Sequence, residues 1–177
     1  INHWCAGEVM YQGTDMRTGS ALEIYRSGVG RCGEEAVFVV NVMRSAGIPA
    51  RPVYVPRWSH CDDNHAWVEV WCDGDWHYLG ACEPEAVLDK GWFTNAASRA
   101  MMIGSRWYDR AMPDEKVIGK DGMNRIINLL GKYAKTRWIT ITVEDLDGTP
   151  AAGAKVRAEV MNYGEFSPIA IMEADKN

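Results

Sequence analysis

A cysteine and a histidine stand where the local sequence favours chemical reactivity. Cys32 lies in the segment GRCGEE that starts at Gly30, where a glycine-broken loop meets an apolar run. At a helix start, unpaired N–H groups and the helix dipole favour the thiolate, which is the nucleophilic form. His65 stands where the polar loop 57–64 becomes the alternating segment 65–71. A thiol and an imidazole that are distant in sequence and adjacent after folding form the pair that cysteine nucleophiles require. The alternative is that Cys32 is a small buried hydrophobe.

A helix must position Cys32. The run 34–46 contains many β-branched residues, which favour a strand by propensity. However, Ala36, Val40 and Met43 recur at helical spacing, and the run is longer than a typical strand. We therefore predict a buried helix that has Cys32 in its first turn and ends before Gly47.

A hairpin must position His65. Alternating aromatic runs flank Asp73-Gly74, a dipeptide that favours a two-residue hairpin turn. Such a turn pairs Cys72 with Asp75. Because faces alternate along a strand, it also brings Gly80 to the same face as His65.

Three segments in this order resemble the transglutaminase-like superfamily of cysteine enzymes: GRCGE from Gly30, GIPAR from Gly47 and HAWVEV from His65. The resemblance extends from Gly30 to about Pro84. It implies an α+β, papain/transglutaminase-like core, in which the nucleophile helix packs on an antiparallel sheet. It also implies a catalytic triad with Cys32 as the nucleophile, His65 as the base and an acid on the next strand.

The family position of the acid is a glycine in this chain. The family pattern places an aspartate four residues after the hairpin tryptophan, and Gly80 stands there. The next carboxylate is Glu83, and we predict that it orients the imidazole. An ideal strand points Glu83 away from the face of His65, so a bulge or strand exit near Gly80 must turn it round. The alternatives are that Glu83 is an exposed strand-end residue or that no acid is used.

The resemblance implies thiol-dependent acyl transfer through a cysteine thioester. The outcome is amide or peptide hydrolysis or transamidation of a protein, peptide or other amide, with no metal or organic cofactor. The backbone N–H of Cys32 and a second donor stabilise the oxyanion, and the family suggests Trp4 or Tyr11 for that donor. The alternative is a catalytically inactive binding module for peptide or glycan, which Gly80 favours.

The loop 57–64 is a predicted substrate-facing rim because it leads directly to the histidine. Trp58 is its predicted hydrophobic platform, and Asn64 is a further predicted substrate contact. The alternative is an ordinary solvated polar loop.

Composition limits the possible partners and the class of protein. The 177 residues are 47% hydrophobic, which is enough for one main core and part of a second domain. The net charge of −5, without a Lys/Arg run, argues against nucleic acid, and no stretch is apolar enough to span a bilayer. The start at Ile1, without a signal peptide, suggests a trimmed or mature fragment.

The five cysteines are compatible with two disulfides and one thiol or with five thiols, and we favour thiols. A zinc site is disfavoured because no Cys-x-x-Cys or His-x-x-x-His spacing appears among the His and Cys residues of 60–82.

The pattern of apolar residues changes in the C-terminal part of the chain. A helical pattern covers 124–133, whereas 138–143 and 154–160 alternate on either side of a turn at 145–150. We predict a transglutaminase-like domain at 1–135 and a partial Ig-like or carboxypeptidase-regulatory-like β-sandwich at 136–177. About 40 residues are too few to complete a sandwich, so either the second domain continues downstream or these strands pair onto the first domain. Analogy with exported proteins that carry such sandwiches suggests an extracytoplasmic bacterial enzyme.

Overall fold

The computed structural model describes residues 1–13, 15, 17–108 and 117–176. These residues form two units. The first unit contains Ile1–Val55 and Asn64–Ala96, and the second contains Pro56–Asp63 and Ala97–Asn177. The predicted triad residues Cys32, His65 and Glu83 all belong to the first unit.

The first unit combines helices with a small antiparallel sheet. Its helices are α1 (Asn2–Glu8), α2 (Ala21–Ser27), α3 (Cys32–Ser45) and α4 (Thr94–Ala97), the last of which ends on the first residue of the second unit. Its strands are β1 (Met10–Tyr11), β2 (Val29–Gly30), β3 (Ala50–Val55), β4 (His65–Cys72) and β5 (Asp75–Leu79). The order β5-β4-β3 is antiparallel throughout, whereas β1 and β2 form a short parallel pair.

Helix α3 confirms the prediction made from the apolar spacing. It begins at Cys32, and its buried residues include Ala36, Val40 and Met43. The helix packs against β3 and β4. Burial of this apolar face outweighs the strand propensity of its β-branched residues, because propensity differences are small beside tertiary packing. The predicted α+β core with the cysteine helix on an antiparallel sheet is therefore present.

The hairpin of β4 and β5 has the predicted register. Cys72 pairs with Asp75, and the two turn residues Asp73 and Gly74 have φ values of 51° and 86°. Positive φ at both central residues matches the right-handed twist of the strands, which explains the Asp-Gly dipeptide. The ladder ends at the pair of Val68 and Leu79, so Gly80 lies beyond the regular sheet.

The second unit is rich in strands. Its elements are β6 (Gly104–Tyr108), β7 (Val117–Asp121), β8 (Asn124–Asn128), α5 (Leu130–Tyr133), β9 (Lys155–Asn162) and β10 (Glu165–Glu173). Strand β8 pairs antiparallel with both β6 and β7, and β9 pairs antiparallel with β10.

Two sequence predictions for this unit are wrong. Residues 124–128 form a strand rather than the start of a helix, because pairing on both sides of β8 suits the β-branched Ile126 and Ile127. The alternating segment 138–143 is not a strand, and its Trp138 and Ile139 side chains are exposed, so the alternation does not bury one face. Strand β9 agrees with the predicted segment 154–160. The domain boundary at 135/136, the β-sandwich and the extracytoplasmic location remain predictions.

No helix in the described part of the chain is both long enough and apolar enough to cross a lipid bilayer.

Candidate active site

Cys32 is the first residue of α3 and is half-buried. Strand β2 ends two residues earlier at Gly30, where it pairs with Tyr11 of β1, and Gln12 N donates to Gly30 O at 2.9 Å. Arg31 N donates to the Glu34 carboxylate at 3.1 Å, which satisfies a backbone donor at the helix start. The thiol therefore lies at the positive end of a 14-residue helix that is anchored on its N-terminal side.

His65 is the first residue of β4 and pairs with Val55 of β3. The residue is only 6% exposed, and its ring is surrounded by aromatic side chains. The ring centroids of Trp92, Phe93 and Trp67 lie 4.6, 5.0 and 5.8 Å from the imidazole centroid. Because α3 packs against β4, the elements that begin at the cysteine and the histidine are in direct contact.

The segment Gly80–Glu83 makes the predicted exit from the strand. Glu83 N donates to Gly80 O at 3.3 Å, the two residues form an isolated antiparallel bridge, and Cys82 has a φ of 56°. A Cβ built on Gly80 would lie 2.7 Å from Glu83 Oε2 and 2.8 Å from Glu83 Cβ. The Glu83 carboxyl therefore occupies the space beside position 80, where the family pattern has its aspartate. Its role as the acid remains a prediction.

Asn2 of α1 holds this turn from outside. Its Nδ2 donates to Gly80 O at 2.8 Å, and its Oδ1 accepts from Cys82 N at 3.2 Å. The two hydrogen bonds fix both ends of the turn that precedes Glu83. Sequence reasoning did not identify Asn2, because no local motif links it to a turn so distant in the chain.

A buried carboxyl, Glu35, and a half-buried one, Glu83, influence each other's charge in this region. Glu35 is 4% exposed, and burial, together with the charge of Glu83, raises its pKa to about 7. Burial also raises the pKa of Glu83, against the lowering effect of the Trp92 hydrogen bond. Ionising both carboxyls at once is costly, so the pair of Glu35 and Glu83 retains a proton at mildly acidic pH. The sequence places Glu35 in the first turn of the predicted helix, where an acidic residue is common, and so gives no signal of its burial.

The thiols of Cys5 and Cys82 interact electrostatically in the same region, with Cys82 in the turn itself. Burial raises the pKa of both thiols, and the charges of Glu35 and Glu83 raise that of Cys82 further. All five cysteines are present as thiols, as favoured from the sequence. Among the described residues, no group of three or more His, Cys, Asp or Glu side chains is placed to hold a metal ion.

The predicted substrate contacts have different surroundings. Trp58 is 3% exposed, so its ring offers no surface to a substrate, and the prediction of a platform at this residue is wrong. The carbonyl of Trp58 accepts from Asn162 Nδ2 at 3.0 Å, which ties the loop within the second unit. A polar loop gives no sequence signal that its one tryptophan is buried.

Trp4 is half-exposed and lies 6.0 Å, between ring centroids, from both Tyr25 and Phe38. Phe38 is six residues, or about 9 Å of helix rise, from Cys32. This contact gives Trp4 a packing role, and its role as oxyanion donor remains a prediction. Asn64 is exposed and directly precedes β4, so its predicted contact with substrate also remains a prediction.

Trp92 is a site residue that sequence reasoning missed. Its Nε1 lies 3.0 Å from each of the two Glu83 carboxylate oxygens, and its ring packs on His65. The only sequence signal was a Gly-Trp-Phe run in a segment without clear periodicity.

Comparison with known proteins shows a similarity in the N-terminal part of the chain. Residues 1–81 match the profile of the Transglutaminase-like superfamily. The matched range includes Cys32 and His65 and ends just before Glu83. The crystal structure of a candidate cysteine protease from Cytophaga hutchinsonii is 21% identical, with a TM-score of 0.41, over 72% of this chain. The chain covers half of the length of that protein. No curated protein matches the chain. Residues 1–81, which are less than half of the chain, are therefore similar in sequence to the transglutaminase-like superfamily.

Proposed function

We propose that this protein is a thiol-dependent acyl-transfer enzyme of the transglutaminase-like type. Cys32 is the nucleophile, His65 is the general base and Glu83 is the acid that orients the imidazole. One observation carries the proposal: the helix that begins at Cys32 packs directly on the strand that begins at the buried His65.

The reaction begins when His65 accepts the proton of the Cys32 thiol. The sulfur attacks the carbonyl carbon of an amide, and the resulting oxyanion accepts hydrogen bonds from the Cys32 backbone N–H and a second donor. As the C–N bond breaks, the imidazolium returns its proton to the leaving amine, and a thioester remains. Water or a second amine then attacks the thioester and gives its proton to His65. The thiol leaves with a proton, and the enzyme is restored.

The nature of the second nucleophile separates a peptidase or amidase from a transamidating enzyme. The same three side chains serve both reactions, so both outcomes remain part of the proposal. The substrate class is a protein, a peptide or another amide.

Gly80 favours a second candidate, a binding module that retained the fold and lost catalysis. In this case Glu83 is a turn residue without a catalytic role, and Cys32 reacts like any other partly exposed thiol. The two candidates differ in the state of the Cys32 thiol near neutral pH.

The test is the pH dependence of alkylation by iodoacetamide, read for each cysteine by peptide mass mapping. The exposed Cys61 is an internal control within the same molecule. We expect Cys32 to react about tenfold faster than Cys61 at pH 6, where an ordinary thiol is almost fully protonated. The His65→Ala variant removes this advantage, and Cys32→Ala abolishes amide cleavage and amine incorporation. Equal reactivity of Cys32 and Cys61 across the pH range contradicts the enzyme and favours the binding module.

A further inference from the structure

Trp92 contacts both His65 and Glu83, which are the base and the orienting acid of the proposed mechanism. Its indole N–H lies 3.0 Å from Glu83 Oε1 and 3.0 Å from Oε2, so it donates between the two oxygens. The centroid of its ring lies 4.6 Å from that of His65, at an interplanar angle of 51°. Its ring also meets the edge of Phe93 at 90°, with the centroids 5.8 Å apart. One side chain therefore contacts the carboxylate with its polar atom and the imidazole with its ring.

The segment that carries Trp92 is fixed to strand β5. Tyr78 N donates to Asp89 Oδ1 at 2.9 Å, and Asp89 N donates back to Tyr78 O at 2.9 Å. His77 Nδ1 lies 2.6 Å from Asp89 Oδ2, and Leu79 forms a parallel bridge with Lys90. These contacts extend the order of the sheet into a segment that is not itself a strand.

The following residues are equally constrained. Gly91 N donates to Thr94 Oγ1 at 3.1 Å, and the Tyr78 hydroxyl lies 2.9 Å from the same oxygen. A Cβ on Gly91 would lie 2.6 Å from Phe93 Cε1, so only glycine lets Phe93 fold back into its fully buried position. The backbone on both sides of Trp92 is thus held in place, and the indole is presented in one orientation.

Glu83 needs such a partner because it comes from a turn. An aspartate at position 80 would project directly from the end of the strand, whereas Glu83 reaches the same space through a longer side chain with more rotatable bonds. A charged donor–acceptor contact with a fixed N–H group restricts that freedom and favours the ionised carboxylate.

We infer that Trp92 is a positioning residue for the active site, which holds the Glu83 carboxylate through its indole N–H while its ring fixes the plane of His65. The inference rests on the proposed function of Cys32, His65 and Glu83. It gives the chain a physical substitute for the aspartate that is absent at position 80.

The central variant is Trp92→Phe, which keeps an aromatic ring against His65 and removes the N–H donor. Trp92 is 63% exposed, so this change should not unfold the protein. The matched control is Trp71→Phe. Trp71 is a partly exposed tryptophan on β4, at the opposite end of that strand from His65, and its ring packs on Trp76. A Trp92→Phe/Glu83→Gln double variant tests whether the two residues act as one unit.

Two readouts separate the inference from the proposed function. The first is the alkylation rate of Cys32 at pH 6, which we expect to fall about tenfold in Trp92→Phe and to remain unchanged in Trp71→Phe. In the double variant we expect no further fall beyond that of Glu83→Gln. The second is the titration of the Glu83 carboxyl carbon by NMR, assigned by its loss in Glu83→Gln. Its pKa rises in Trp92→Phe because the donor to the charged form is gone.

Each outcome decides the question. An unchanged Glu83 titration in Trp92→Phe overturns the inference, and the proposed function stands if Cys32 is still activated in a His65-dependent way. Additive losses in the double variant also overturn it, because the two residues then act independently. If Cys32 of the unaltered protein reacts like Cys61, the proposed function fails and the positioning role fails with it.

Discussion

The tight approach of Glu83 to Gly80 predicts that Gly80→Ala damages both stability and the site. The new methyl carbon would lie 2.8 Å from Glu83 Cβ and 2.7 Å from its Oε2, whereas ordinary contacts begin near 3.4 Å. The carboxylate can swing away, but the Cβ can retreat by about 0.6 Å only if the backbone of the turn moves. Asn2 resists that movement through its two hydrogen bonds to the turn.

The expected cost follows from this geometry. Forcing a methyl group into a filled site costs about 1–3 kcal/mol of unfolding free energy. For a chain of this length, that corresponds to a fall in melting temperature of about 2–4 °C per kcal/mol. Displacement of Glu83 also breaks its bond with Trp92, so the reactivity of Cys32 at pH 6 falls in the same variant.

The assay is urea unfolding followed by tryptophan fluorescence, together with Cys32 alkylation. Gly7→Ala is the matched control, because a Cβ there meets nothing within 4 Å in helix α1, and alanine stabilises a helix by about 0.5–1 kcal/mol. In a Glu83→Gly background the two closest atoms are absent, and of the three nearest atoms only the carbonyl oxygen at 3.2 Å remains, so Gly80→Ala should lose most of its cost. Equal costs in both backgrounds would refute the steric argument.

Three other results are expected. The pKa of Glu35 is about 7 in the folded state, against an ordinary value of 4.5, so between these two pH values the folded state holds a proton that the unfolded state has lost. The free energy of unfolding therefore falls by about 3 kcal/mol as the pH rises from 4.5 to about 7. Urea titrations should show a much flatter fall in Glu35→Gln. Asn2→Ala loses two hydrogen bonds to the turn and should cost about 1–3 kcal/mol in the same assay, whereas an unchanged midpoint would contradict the clamp. Arg51 and Glu69 form a fully buried ion pair at 2.6 Å, so Arg51→Met should cost about 3–5 kcal/mol, and adding Glu69→Leu should recover much of it in calorimetry.

Local patterns were sufficient to predict the parts of the fold that local physics determines. The apolar spacing of Ala36, Val40 and Met43 identified α3, because a buried helical face leaves this period in the sequence. The dipeptide Asp73-Gly74 fixed the hairpin register, because few other residues adopt positive φ twice in succession. Extrapolation of that register also required the chain to turn at Gly80, and the strand ends at that point.

Prediction failed where the outcome depends on distant partners. The pattern of 124–133 fits a helix, but pairing with β6 and β7 makes its first half a strand. Trp58 is buried by its tertiary surroundings, which no neighbouring residue encodes. Trp92 and Asn2 act through contacts with side chains and backbone that are remote in sequence, so neither stands in a recognisable motif.

Two thiols of unequal burial give this protein built-in reporters of its own opening. Cys5 is fully buried in the core, whereas Cys82 is half-buried in the turn beside Glu83, and neither thiol ionises readily in the closed state. A thiol reagent therefore labels Cys5 at a rate set by the fraction of time that the core is open, whereas the half-buried Cys82 can also react in the closed state. Equal labelling rates at Cys82 and Cys5 indicate that turn and core open together. Opening of the core beside the turn that carries the proposed acid is thus measurable in the unaltered chain with a thiol reagent and without a substitution.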